Sequence, residues 1–378
     1  MQAFFSILRS VLWGTPAAIT DDTNWADVLQ TAARQKCLHA FSVWLRANRQ
    51  KTPYDQRLQT SLFLVMQRQA RLNLLSAEII ALLAQHHIPA TLIKGYSLSQ
   101  LYPDPDMREF GDVDIYVGED NYQRAAQIVT AAYPNAHWHS DTHGGIHFIL
   151  VIDESLDRVV ELHRVTMEFA HPTANAHFQA FTHTHLDAHT PCIELYGQSI
   201  PVPPAAYNAL YVFLHAWHHF ESTGVGFRQL GDWALCLHHA HQQSSPEQWQ
   251  TLTKTIDQIL TALHMKAAWQ TFGHLLVEQL HLSPEDFPLY TTRYHRRSQR
   301  LLRQLWRDGH GARPALFQQG TTTDLTLMYR FPMERPTKNR WAQRSYTACR
   351  LLFEAWQMGK FFPLLAASEL IASLRSKL

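Results

Sequence analysis

The middle of the chain constrains its fold most. From residue 89 to about 165 a helical texture gives way to four short β-rich runs, PATLIK, GDVDIYV, IHFILVI and RVVELH. Between the second and third lies NYQRAAQIVTAAY, whose apolar positions recur at helical spacing. Short strands with a helix among them specify an α+β core. IHFILVI and RVVELH are separated by Asp153, Glu154, Ser155, Leu156 and Asp157, a polar loop short enough to close a hairpin.

Both flanks read as helices. In SLFLVMQRQARLNLLSAEIIALLAQHH, Leu62, Val65, Met66, Ala70, Leu74, Ile79 and Leu82 recur at spacings of three to five. The opening MQAFFSILRSVLWGTPAAIT imitates a short signal peptide, but Arg9 splits its apolar run, and Phe4, Leu8 and Leu12 fall on one face of a helix. Residues 166–206 contain HPTANAHF and IPVPPAAY, which resist regular assignment and are expected to carry the chain irregularly to its next unit. From 205 onward the pattern is helical again, in AAYNALYVFLHAWHHF, FRQLGDWALCLHHAH and TLTKTIDQILTALHMKAAWQTFGHLL. The expected organisation is an N-terminal helical region at 1–88, a core at 89–200 and a C-terminal helical domain at 201–378.

Composition excludes several classes of function. With 33 Lys+Arg against 32 Asp+Glu, the formal charge of +1 supplies no overall positive field for a nucleic-acid backbone. RYHRRSQRLLRQLWR, residues 293–307, is basic, but one basic helix in a neutral protein reads as a solvated face, so nucleic acid is not an expected partner. Apolar runs such as FFPLLAASELIASL are broken by Pro363 and Glu369, so no membrane span is expected. Cys37, Cys192, Cys236 and Cys349 form no CxxC pair and read as reduced, buried thiols, which fits a cytoplasmic protein. The 24 histidines are dispersed and read as polar surface and interhelical filler; protonating all of them would carry the formal charge to +25 and should make the protein acid-sensitive. Trp217, Trp233, Trp249 and Trp269 stand at helical spacing among Leu and Ala, as packing residues do.

The chemistry concentrates in LIKGYSLSQLYPDPDMREFGDVDIYV. Alternation along a strand puts Asp112, Asp114 and Tyr116 on one face and Val113, Ile115 and Val117 on the other. Carboxylates at i and i+2 stand roughly 6 to 7 Å apart at their Cα atoms. Such a pair repels unless a cation lies between its members, and Mg²⁺ is the ordinary partner of carboxylates at phosphate sites. Glu161, in the otherwise apolar strand RVVELH, is the candidate third acid, because a carboxylate there is costly unless paired or bound to metal. Upstream, Lys94 and Gly95 end an apolar run and open SLSQLY. Strand, glycine turn and helix make a phosphate-binding layout, with Lys94 and the hydroxyls of Ser97 and Ser99 adding charge and hydrogen bonds. Arg108 is placed to neutralise a phosphate or to pair with one of the acids.

KGYSLSQLYPDPDMREFGDVDIYV resembles the pattern of the uncharacterised nucleotidyltransferases within the polymerase-β superfamily: a KG turn, a Y-P-x-x-x-x-R segment and a D-h-D strand. VVELH is similar to the family's third-acid strand, and FLHAWHHFESTGVGFRQLGDWALCL to its H-x-x-x-H and R-x-x-x-D region. The resemblance implies a mixed sheet backed by helices, with Mg²⁺ or Mn²⁺ on Asp112, Asp114 and Glu161. It also implies transfer of a nucleoside monophosphate from an NTP, expected to be ATP, to a hydroxyl of a small-molecule or protein acceptor by two-metal catalysis. Lys94, Gly95, Ser97 and Arg108 would bind the nucleotide. His219, Arg228 and Asp232 would help to hold nucleotide or acceptor, although Arg228 and Asp232, at i and i+4, equally suit a simple helix-surface pair. His215 and His219 share the zinc-like i, i+4 spacing, but position 216 is Ala and no third ligand follows. The alternative is a catalytically silent nucleotide-binding or partner-binding module of the same fold; the presence of all three acids favours an enzyme.

Overall fold

The computed structural model describes residues 1–139, 147–153, 158–169, 171–187, 190–221, 224–309, 352, 355–356 and 359–377. The expected hairpin loop at 154–157 and Cys349 lie outside the described residues. The fold is α+β, and the chain divides into two compact units: residues 1–30, 37–168 and 179–208 form the first, and residues 31–36, 169–178 and 209–378 the second.

In the first unit, α1 (Gln2–Trp13), α3 (Leu38–Ala47) and α4 (Asp55–Gln85) precede a five-stranded sheet; α2 (Trp25–Arg34) is shared between the units. The strands are β1 (Thr91–Ile93), β2 (Val113–Tyr116), β3 (His137–His139), β4 (His147–Asp153) and β5 (Arg158–His163), in the order β1-β2-β5-β4-β3. β2 and β5 run parallel, and the other neighbours are antiparallel. A short α5 (Gly95–Ser99) joins β1 to β2, and α6 (Tyr122–Ala132) follows β2. The core packs Leu92, Ile115, Val160 and Leu162 of the sheet against Leu72, Ile79 and Leu83 of α4 and Ala125 and Val129 of α6. β2 is buried along its whole length, so a charged residue on it must find partners.

The opening segment forms α1 with Phe4, Leu8 and Leu12 buried, as its spacing predicts. The buried face of α4 differs from the expected one. Leu62, Gln69, Leu72, Ser76, Ile79 and Leu83 are buried, whereas Ala70 and Leu74 face solvent. The true stripe alternates steps of three and four but carries Gln69 and Ser76, and these polar residues hid its phase. Residues 166–206 also depart from expectation. They form α7 (Pro172–Leu186), opened by a proline at its first position, and a ribbon of β6 (Cys192–Leu195) and β7 (Gln198–Pro201). Tyr196 and Gly197 turn that ribbon with φ of 51° and 74°. Two successive positive values belong to a type I′ turn, which the sequence disguises with Tyr where Asn is usual.

The second unit is helical: α8 (Ala205–Glu221, from residue 209), α9 (Phe227–Gln243), α10 (Pro246–Ala262), α11 (Lys266–Leu275), α12 (His295–Asp308) and α13 (Pro363–Lys377). Trp233 and Trp269 are fully buried with ring centroids 4.9 Å apart, and Phe213 packs 4.7 Å from Trp233. Their indole nitrogens donate to the carbonyls of Ala209 and Pro288, so burial leaves no polar cost. Trp217 is buried as well, and half-buried Trp249 packs on His241. Cys37 and Cys236 are buried thiols, but Cys192 is exposed, because the two-stranded ribbon that carries it has one open face. Among the described residues no helix is long and apolar enough to cross a membrane.

Candidate active site

Parallel pairing of β2 with β5 sets Asp114 directly beside Glu161, and Tyr116 beside His163. Neighbouring strands lie just under 5 Å apart, so the two acids converge on one face. His163 completes the group: its Nε2 lies 3.0 Å from Asp114 Oδ1 and 3.4 Å from Glu161 Oε2. One ligand atom from each of these three side chains lies within 4.8 Å of the others. Lys94, one residue beyond β1, reaches the same carboxylate, with Nζ 2.7 Å from Asp114 Oδ1. The side chain of Asp114 is 1% exposed and that of Glu161 21%, so Asp114 is the buried acid and Glu161 the one that solvent reaches.

Burial alone would raise the Asp114 pKa. The Lys94 ammonium and the His163 hydrogen bond outweigh it and hold the carboxyl well below the usual range. His163 shows the converse balance: burial opposes its charged form, but the hydrogen bonds to Asp114 and Glu161 prevail and raise its pKa. The four groups are therefore an ion cluster of alternating sign. Beside them, burial and the charge of Asp187, whose Oδ1 is 3.3 Å from the phenol oxygen, push the Tyr116 pKa up.

The Lys94-Gly95 turn is held under strain. Lys94 adopts φ 59°, ψ −145°, a region nearly reserved for glycine, and Gly95 follows at φ 47°. Such a non-glycine conformation costs of order 1 to 3 kcal/mol and persists only where its surroundings impose it. Those surroundings are visible. Arg108 is buried and its Nη1 donates to the Gly95 carbonyl at 2.7 Å; Gln69 of α4 donates to the Arg108 carbonyl at 2.7 Å. Arg68, its neighbour on α4, donates to the Gly111 carbonyl at 3.0 Å. His39 of α3 contacts the Asp106 carbonyl through Nε2 at 2.8 Å, which makes that nitrogen the donor, and burial lowers its pKa. Three side chains of the N-terminal helices thus pin the segment that enters the acidic strand.

The sequence-expected residues fall into three places. Asp114, Glu161 and Lys94 come together. Asp112 stands one residue ahead of β2, half-buried, at the end of the pinned segment; Gly95 and Ser97 form the turn, where the Ser97 hydroxyl donates to the Lys94 carbonyl at 2.6 Å. Arg108 grips that turn from beneath. His219, Arg228 and Asp232 lie in the second unit. There His219 packs 4.7 Å from His215, and Arg228 pairs with buried Asp232 at 3.4 Å. His163, Gln69, Arg68 and His39 escaped sequence reasoning. His163 was legible as the next residue on the face of Glu161, and Gln69 as a polar residue on an apolar stripe. His39 and Arg68 left no signal.

The two carboxylates, with an imidazole within reach of both, offer the oxygen donors that Mg²⁺ or Mn²⁺ takes. No curated protein matches the chain. Residues 21–269, well over half the chain, match a family model described as an uncharacterised nucleotidyltransferase. That span takes in the strained turn, the acidic strand and its partner strand, and the chain belongs to this nucleotidyltransferase family.

Proposed function

We propose that the protein transfers a nucleoside monophosphate from an NTP, with ATP the expected donor, to a hydroxyl of a small-molecule or protein acceptor. The observation that carries this reading is the pairing of Asp114 with Glu161 on adjacent parallel strands, with Lys94 and His163 against the buried acid. Asp112, Asp114 and Glu161 would hold Mg²⁺ or Mn²⁺, one ion or two, with His163 orienting the two carboxylates through its Nε2. Bound there, the cation would lower the pKa of the acceptor hydroxyl and neutralise charge on the departing phosphate. Lys94 and the backbone at Gly95 and Ser97 bind the phosphates, while Arg108 keeps that turn in its strained form. Glu161, more accessible than the buried Asp114, receives the acceptor proton. The acceptor oxygen forms a bond to the α-phosphorus, the bond from that phosphorus to the bridging oxygen breaks, and pyrophosphate leaves with the electron pair. The reaction is cytoplasmic.

A second reading has one observation in its favour. Asp114 is already compensated by Lys94 and His163, as in a silent nucleotide-binding module that needs no metal. Mass spectrometry separates the two after incubation of purified protein with cell extract, Mg²⁺ and each NTP. An enzyme yields pyrophosphate and an acceptor heavier by one nucleotidyl group; a silent module binds nucleotide and yields neither.

A further inference from the structure

The basic helix α12 gains a meaning from its packing that its sequence does not show. Ser298, Leu301, Leu302 and Leu305 are buried and fix the helix to the second unit, with the Gln35 side chain donating to the Leu305 carbonyl at 2.8 Å. Arg297 belongs to this inner side, its guanidinium lying 4.9 Å from the Tyr294 ring centroid and 5.4 Å from that of Phe362. The opposite side is different. Arg296, Arg300, Arg303 and Arg307 are all exposed and follow one another along the helix by steps of three and four, so they form a single straight row, and exposed Arg293 stands in the turn just ahead of it, 5.6 Å from the Tyr294 ring centroid. Among the described residues, only Arg307 of these five has a carboxylate partner, Asp308 at 2.7 Å. Successive guanidinium groups are spaced about 5 Å along the axis, given a rise of 1.5 Å per residue.

We infer that this row is a docking surface for single-stranded nucleic acid, bound through its phosphodiester backbone. A line of regularly spaced guanidinium forks fits a line of phosphates, each of which accepts two parallel hydrogen bonds. The row is straight, whereas one strand of a duplex winds to the far side within half a turn, about 17 Å. Nor can α12 enter a major groove, since its apolar half is committed to the protein core. The same commitment argues against a membrane surface, because an interfacial helix binds by immersing its apolar face. A formal charge of only +1 over the whole chain makes the row a local feature, so binding follows these five side chains and not the global field. The row offers nothing set to read a base or a 2′-hydroxyl, so RNA and DNA strands bind alike.

Fluorescence anisotropy of the full chain with labelled 20-nucleotide uridine RNA and thymidine DNA tests this, alongside flotation with phosphatidylserine vesicles. Five phosphate contacts on a single strand predict a slope of log affinity against log salt near −3.5, or about a 100-fold loss between 50 and 200 mM salt. The variant R296Q/R300Q/R303Q should flatten the slope to about −1.4, with a loss of only about sevenfold over the same range. R296K/R300K/R303K, which keeps the charge, should retain the wild-type slope, and R49Q/R57Q, which neutralises two exposed arginines in the first unit, should change nothing. Absence of strand binding, an unchanged slope in the glutamine variant, or binding to vesicles alone would overturn the inference. If the glutamine variant does not fold, a lysine variant that loses the slope would overturn it equally.

Discussion

Replacing Lys94 with Met removes one charge from the ion cluster and leaves the backbone strain unchanged, since Met is no more at ease than Lys at φ 59°. Asp114 is 1% exposed and accepts from Lys94 at 2.7 Å and from His163 at 3.0 Å. Stranding a buried charge altogether costs 3 to 5 kcal/mol, and one hydrogen bond to a charged group is worth 1.5 to 3. Because His163 remains, the expected loss is about 2 kcal/mol, or roughly 4 to 8 °C for a unit of this size. The pH dependence carries the cause. In the wild type the folded Asp114 pKa lies below its unfolded value of about 3.9, so its contribution is complete above that value and is lost only as pH falls through the depressed folded pKa. Without the ammonium, burial is less opposed and the folded pKa of the variant rises. The variant then takes up a proton in the folded state earlier than the wild type does, so its deficit against wild type narrows as pH falls through the variant's folded pKa. Thermal melts of both proteins in chelator at several pH values read this difference directly. A deficit below about 0.5 kcal/mol at pH 7, or one that widens on acidification, would refute the assignment of Lys94 as the main support of Asp114.

Glu161→Gln should leave nucleotide affinity nearly unchanged while turnover falls by the 10²- to 10⁴-fold associated with losing an acid–base group; a drop in melting temperature with normal turnover would make Glu161 a structural ion-pair partner instead. Gln69→Leu, which strands the Arg108 carbonyl, should cost about 1 to 3 kcal/mol by thermal melt and weaken Mg·NTP binding, whereas equal loss of stability with unaltered affinity would mean that α4 does not position the turn. Gly95→Val should abolish phosphate binding in titration calorimetry because a β-branched residue resists φ 47° and fills the close approach, and retained affinity would place the phosphates elsewhere.

How much of this was legible in the sequence depends on the length scale of each signal. The β-rich block and GDVDIYV expose their geometry through alternation alone, so the pairing face of Asp114 and Glu161 could be anticipated from parity. The KG turn was legible as a turn, but its strained Lys94 was not, because that conformation is imposed by Arg108, fourteen residues on, and by Gln69 on a distant helix. The phase of α4 was missed for the same reason: Gln69 occupies a core position, where it hydrogen-bonds the Arg108 carbonyl, and so broke the apolar pattern that sequence reading relies on. Helix α7 and its ribbon were missed because histidine and threonine blur the helical pattern, and Tyr-Gly stands where Asn-Gly usually marks the turn.

Titration calorimetry of Mg·ATP into wild type and D112N/D114N reaches the central claim most directly. The account predicts binding that depends on Mg²⁺ in the wild type and is abolished in a double variant that still shows a cooperative melt, because the acids that hold the cation have lost their charge. Equal Mg·ATP affinity in both proteins would contradict it.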